Sequence, residues 1–99
     1  MALKSWVFIY TAPGLEPEGR STIVETAECR TQLVGLPNLD AAVRFAATLD
    51  KSVQLVELCG GFGPVGTARV IEALKGRVPV GSVGYGAESI AATAAIFSD

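Results

Sequence analysis

Apolar residues in this chain occur either in short unbroken runs or at every third or fourth position. The unbroken runs, rich in β-branched and aromatic residues, predict strands at 4–11, 30–36, 53–59 and 78–83. The spaced runs predict helices over 39–49, 67–75 and 87–97. Asn38 stands before the first of these helices, where its side chain can accept a hydrogen bond from a free backbone N–H. Segment 12–19 contains two prolines and two glycines and predicts a loop, whereas 21–28 suits either a short strand or a helical turn.

The order of these elements predicts an α/β domain. Strands that alternate with helices form right-handed crossovers and a parallel sheet. We therefore predict a four-stranded, mostly parallel sheet with three helices, a flavodoxin-like or half-barrel-like layer in the order β-β-α-β-α-β-α. A length of 99 residues corresponds to a single α/β domain, 1–99. The direction of the first strand relative to the second stays open, because no helix is predicted between them.

The predicted strands also indicate where a ligand would bind. Open parallel sheets bind ligands beyond the carboxyl ends of their strands. Segments 10–19, 59–66 and 84–88 should meet there, and all three are rich in glycine or proline. The candidate ligand-binding residues are Tyr10, Gly60, Gly61, Phe62, Gly63, Gly66, Thr67 and Tyr85.

The most distinctive of these segments is Gly60–Gly66, called the glycine segment below. Glycines let the backbone approach an anion, and the helix expected from Thr67 offers free N–H groups. No Gly-Lys-Ser/Thr follows, and the spacing is not that of a dinucleotide-binding fingerprint. The segment predicts binding of a small anionic metabolite. The alternative is a tight strand-to-helix turn with Phe62 packed as a lid.

Glu57 and Cys59 are the candidate catalytic residues, on one face of the strand before the glycine segment. A carboxylate among apolar residues needs a partner, for which Arg69, Arg30 or a loop N–H could serve. Glu57 is then either a structural anchor or a proton-transfer group. Cys59 is either a nucleophile facing a helix N-terminus or an inert buried thiol. Whether the protein is an enzyme stays open.

Composition excludes several classes of function. The chain has no histidine and two cysteines, so it lacks a Ser-His-Asp or Cys-His nucleophile. We expect no metal site and no cofactor, since structural zinc needs about four Cys or His ligands. The net charge of −2, with scattered basic residues, argues against nucleic-acid binding. The apolar run near Met1 is too short for a signal peptide or a membrane span, which predicts a cytoplasmic protein without a membrane partner.

The last predicted helix, Ala87–Phe97, is apolar or small on almost all sides. Such a helix is normally buried, yet a small domain leaves one face of a terminal helix in solvent. The composition also indicates more apolar surface than a small domain can bury, with 49% apolar and only 18% charged residues. We therefore predict a homo-oligomer, most simply a dimer, formed through this helix. The competing function is an assembly or interaction module without catalytic activity.

Four stretches carry a family resemblance: KSWVFIYTAPGLEPE, CRTQLVGLPNLDAAV, VQLVELCGGFGPVGTARVIEAL and RVPVGSVGYGAESIAA. They resemble a family of small bacterial proteins that is catalogued as a domain of unknown function. ELCGGFGP with the following GTAR is the most specific part. The resemblance implies a shared signature at 10–16, 57–66 and 85–88. It carries over no catalytic residue, because the family has no established activity.

Overall fold

The computed structural model describes residues 2–98, which form one sheet and three α-helices. The strands are β1 (Ser5–Thr11), β2 (Arg20–Glu25), β3 (Arg30–Leu36), β4 (Leu55–Leu58) and β5 (Val80–Ser82). The helices are α1 (Leu39–Ala47), α2 (Gly63–Leu74) and α3 (Ile90–Phe97). Short 3₁₀ turns at Gly60–Phe62 and Ala87–Ser89 precede α2 and α3.

The sheet has the strand order β2-β3-β1-β4-β5. The central strand β1 is parallel to β3 and to β4, and β5 is parallel to β4. Only β2, at one edge, runs antiparallel to its neighbour β3. The predicted mostly parallel α/β class is confirmed, and the first strand runs parallel to the strand predicted at 30–36.

The predicted number of four strands is wrong, because residues 20–25 add a fifth. Every residue of β2 is exposed, so its apolar positions show no buried face from which a strand could be predicted. Pairing with β3, from Arg20 opposite Gly35 to Glu25 opposite Arg30, stabilises it instead. The observed order is therefore three strands before the first helix.

One face of the sheet is covered by α1 and α2. The helix α1 connects β3 to β4, and α2 connects β4 to β5, so both connections move towards the same edge of the sheet. Right-handed crossovers therefore place both helices on the same face. The core between sheet and helices consists mainly of Val7, Ile9, Val34, Leu36, Val56, Leu58, Ala42, Ala46, Val70 and Leu74. Asn38 caps α1 as predicted, since its Oδ1 accepts a hydrogen bond from Ala41 N at 2.9 Å.

No helix of residues 2–98 covers the other face. A helical link from β1 to β3 would lie there, but the chain makes this link through a loop and β2. We call this surface the open face, with the residues Trp6, Phe8, Tyr10, Leu33, Leu55 and Glu57. A flavodoxin-like domain has helices on both faces, whereas this chain by itself has a two-layer arrangement.

The helix α2 begins at Gly63 and not, as predicted, at Thr67. Pro64 lies in its first turn, where the missing N–H of proline costs no hydrogen bond. The glycine segment is therefore not a loop. It consists of a 3₁₀ turn and the first turn of α2.

Gly19, directly before β2, and Gly14, earlier in the same loop, give a matched test of how β2 pairs with the edge of the sheet. Both have positive φ values, +72° and +91°, but only a Cβ at Gly19 would overlap the carbonyl oxygen of Gly35. We expect Gly14→Ala to lower the free energy of unfolding by about 1 kcal/mol from backbone strain alone. Gly19→Ala should cost about 3 kcal/mol, because the overlap pushes β2 away from β3. Urea denaturation measures both losses, and equal losses would contradict this account.

Candidate functional site

The carboxyl ends of β1, β4 and β5 lie at one edge of the sheet, because these strands are parallel. Gly60 comes so close to the ring of Tyr85 that a Cβ at Gly60 would overlap it. A Cβ at Gly61 would lie 3.6 Å from Cε1 of Phe97 and 3.8 Å from Oγ1 of Thr11. The structure thus brings together the three segments that were expected to meet, and Phe97 of α3 joins them.

Cys59 fixes the backbone where β4 ends. Its N–H donates to the Ile9 carbonyl at 3.1 Å, and its carbonyl accepts from the Phe62 N–H at 3.2 Å. The side chain is half-buried and packs against the core. These contacts are those of a structural residue at a turn, and nucleophilic behaviour of Cys59 stays a prediction.

Glu57 lies on the open face, in the middle of the sheet. Its neighbours in register are Phe8 of β1 and Gly81 of β5. The glycine at position 81 leaves room for the side chain, since a Cβ there would lie 4.0 Å from Cγ of Glu57. Alternation along β4 therefore places this carboxylate away from the core that α1 and α2 cover.

Of the three partners expected for Glu57, Arg69 is bound elsewhere. Within residues 2–98 the ion pairs are Arg69–Asp40 and Arg20–Glu16, each at 2.9 Å. Arg69 thus joins α2 to α1 across the helix layer, and no ion pair holds Glu57 in the described part of the chain. The geometry gives no support to Glu57 as an anchor of the glycine segment.

Four predicted ligand-binding residues take part in the packing of α2. Phe62 is buried in the core, and a Cβ at Gly66 would lie 3.2 Å from Cδ1 of Leu39 on α1. The Thr67 hydroxyl donates to the Gly63 carbonyl at 2.7 Å. The expected role of Phe62 as a packed lid agrees with its burial.

Tyr10 and Tyr85 each lie over a glycine, but at different places. The Tyr10 ring covers Gly35 on the open face, where an added Cβ would lie 2.6 Å from the ring. Tyr85 covers Gly60 at the carboxyl edge. The predicted site residues are therefore divided among the edge (Cys59, Gly60, Gly61, Tyr85), the packing of α2 (Phe62, Gly63, Gly66, Thr67) and the open face (Tyr10, Glu57).

Sequence reasoning missed Trp6 and Phe8, and Tyr10 was the one aromatic residue of the open face among its candidates. Trp6, Phe8 and Tyr10 alternate with the fully buried Val7 and Ile9 along β1. The unbroken apolar run predicted a strand, with no distinction between its two faces. Its alternation of aromatic with aliphatic residues was the available signal, because the two faces of a strand are occupied by every second residue.

The loop between β1 and β2 is held by a charged pair. Arg20 donates to both carboxylate oxygens of Glu16, at 3.2 Å from Nε and 2.9 Å from Nη2. This hydrogen bonding lowers the pKa of Glu16 to about 2. The pair is exposed, so it orders the loop without forming a buried charged site.

A shallow apolar depression lies beside α3. It has a volume of about 290 Å³ and is lined by Tyr85, Ile90, Thr93, Ala94 and Phe97. A larger depression of about 420 Å³ lies between the helices of the other face, near Arg69 and Glu72. Neither is lined by Glu57 or Cys59.

The chain belongs to a family of unknown function, DUF6506, whose model matches residues 4–98. The resemblance to a family without assigned activity is thereby confirmed. No curated protein and no solved structure gives a match. Among the described residues, no helix is both long and apolar enough to cross a membrane.

Glu57→Gln tests whether the carboxylate anchors the fold. We expect the free energy of unfolding to change by less than about 0.5 kcal/mol, because no ion pair is lost. Leu58→Ala is the control on the same strand, and it should cost about 2–5 kcal/mol since Leu58 is fully buried. Chemical denaturation measures both. A loss above about 2 kcal/mol for Glu57→Gln would restore the anchoring role.

Proposed function

We propose that this domain is an assembly module, in which two copies associate through apolar surfaces that one chain leaves exposed. The observation that carries the proposal is the state of α3. Its sequence, IAATAAIF, contains no charged residue, and none of its residues is buried. A helix that is apolar on all sides is stable in water only when something covers it.

The exposed side chains of α3 are large enough to drive association. Ile90, Ile96 and Phe97 are exposed by 61%, 75% and 57%. Full burial of such a side chain contributes about 1.5–3 kcal/mol. An isolated helix shorter than about 12 residues is marginal in water, and α3 has eight. Contact with a second copy would therefore stabilise both the helix and the assembly.

The division of the predicted site residues also favours assembly over catalysis. Glu57 faces the open side of the sheet, whereas Cys59 packs at the turn after β4. General acid–base and nucleophilic chemistry need such groups within hydrogen-bond reach of one reacting atom. The side chains of this chain are better placed for packing than for joint chemistry.

Binding of a small anionic metabolite is a second candidate, and one observation favours it. No side chain caps the N-terminus of α2, unlike that of α1, which Asn38 caps. Gly63, Pro64 and Val65 are all exposed there. No side chain therefore occupies the first backbone N–H groups of α2, of which Pro64 supplies none, and helix N-termini favour anions.

Ile96→Glu tests the assembly. We expect the wild-type chain to have about twice its 10.3 kDa mass in light scattering at ~50 μM. The variant should be monomeric there, with dimerisation at least ~100-fold weaker, because the assembly would have to bury a charge in place of an apolar side chain. Ile71→Glu is the matched control on α2, where Ile71 is exposed by 51%, and it should stay dimeric. A monomeric wild-type chain at this concentration would contradict the proposal.

Phosphate tests the anion site. We expect the Tm to rise by a few degrees up to ~50 mM phosphate, relative to sodium chloride of equal ionic strength. Val65→Asp should abolish the rise, because a carboxylate in the first turn of α2 occupies the same N–H groups. A flat titration of the wild-type chain would remove this candidate without affecting the assembly.

A further inference from the structure

We infer that α3 of one copy lies on the open face of a second copy, so that each sheet receives from its partner the helix that it lacks. The inference rests on the proposed assembly and specifies its geometry. It joins two surfaces of the chain that the fold leaves without a covering: the open face and α3.

The first argument comes from the topology of the sheet. Parallel strands normally have both faces covered. Here α1 and α2 cover one face, and the link from β1 to β3 runs through β2 at the edge. The strands β1, β3, β4 and β5 thus form a parallel sheet with a helix layer on one side only.

The second argument is the amount of surface. The chain exposes 6333 Å². A compact monomer of its mass, 10.3 kDa, exposes about 5,400 Å². The excess of roughly 900 Å² is close to the ~800 Å² that each partner buries in a standard interface. The radius of gyration, 13.9 Å, also exceeds the ~12.6 Å of a compact domain of this length.

The third argument is the chemical match of the two surfaces. The open face presents mostly aromatic and aliphatic side chains, and two charged residues of its strands lie on it, Glu57 on β4 and Arg20 at the β2 edge. Along α3, four alanines and Thr93 lie between Ile90 at one end and the adjacent Ile96 and Phe97 at the other. Such small residues let a helix approach a surface closely. With eight residues, α3 is about 12 Å long, and the seven-residue β1 is about 23 Å long, so the helix fits within the strand.

Two other dimers are possible, and each leaves a surface exposed. Pairing of α3 with α3 would leave both open faces in solvent. Packing of one open face on the other would leave both copies of α3 in solvent. Exchange of α3 covers all four surfaces in one arrangement with twofold symmetry, as self-complementary dimers require.

Single-cysteine cross-linking distinguishes these arrangements. The background is Cys29→Ser with Cys59→Ser, and its Tm and dimeric mass are measured first. One chain then carries Ala95→Cys on α3, and a differently tagged chain carries Leu33→Cys on the open face. After mixing, a bismaleimide with a span of about 10 Å should join Ala95→Cys chains to Leu33→Cys chains at least ~10-fold more than it joins like chains.

Trp6 provides a second readout that needs no cysteine. It is the one tryptophan of the chain and lies on the open face. Covering this face should shift its emission to shorter wavelength in the dimer. Dilution of the wild-type chain should shift the emission back, and Ile96→Glu should show the longer wavelength at every concentration. Ile71→Glu should behave as the wild-type chain does.

The outcomes separate this inference from the proposed assembly. Cross-links that join two Ala95→Cys chains or two Leu33→Cys chains would overturn the exchange of α3 and leave the assembly standing. The absence of any cross-link in a protein of dimeric mass would do the same. A Trp6 emission that stays constant while the mass doubles would also overturn it. Monomeric mass in every chain, with no cross-link, would overturn both.

Discussion

A parallel sheet exposes two apolar faces, and within residues 2–98 helices cover only one of them. The cause is the route from β1 to β3, which passes through the edge strand β2. The other connections place α1 and α2 on the same face, where Val7 and Ile9 become fully buried. The alternate residues of β1 stay half-buried on the open face. The half-buried aromatic surface, the two-layer arrangement and the position of Glu57 all follow from this one feature.

The same constraint explains why the predicted site does not converge. Strand direction brings Gly60 and Tyr85 together at the carboxyl edge, as element order predicted. Strand alternation then sends Glu57 to the open face. Phe62 turns the other way, into the core between sheet and helices. Residues close in sequence are thus separated by the sheet itself.

The elements that could be predicted from the sequence were those with one buried face or a capping residue. The 30–36 strand has its predicted bounds, and Asn38 caps α1 as expected, because burial and capping leave a local pattern. The strand β2 has no buried side chain and so left no such pattern. Glycines disfavour helices by about 1 kcal/mol each, which is why the glycine segment suggested a loop. Packing of Gly66 against Leu39 offsets that preference, and it is a long-range contact that spacing does not reveal.

For the candidate site, strand alternation grouped Glu57 with Cys59 on one face, but the structure places Glu57 on the open face and packs Cys59 against the core. Nor could the sequence show that Arg69 pairs with Asp40 and not with Glu57. Asp40 and Arg69 meet across two helices, 29 positions apart in the chain, so their pairing depends on the packed fold. In the proposed assembly, the surroundings of Glu57 would depend on the partner copy as well. Covering the open face would enclose Glu57, and an enclosed carboxylate costs free energy unless a proton or a donor neutralises it. Any chemistry of Glu57 would then belong to the assembled protein, because a single chain leaves this side chain half-exposed and without an ion pair in its described part.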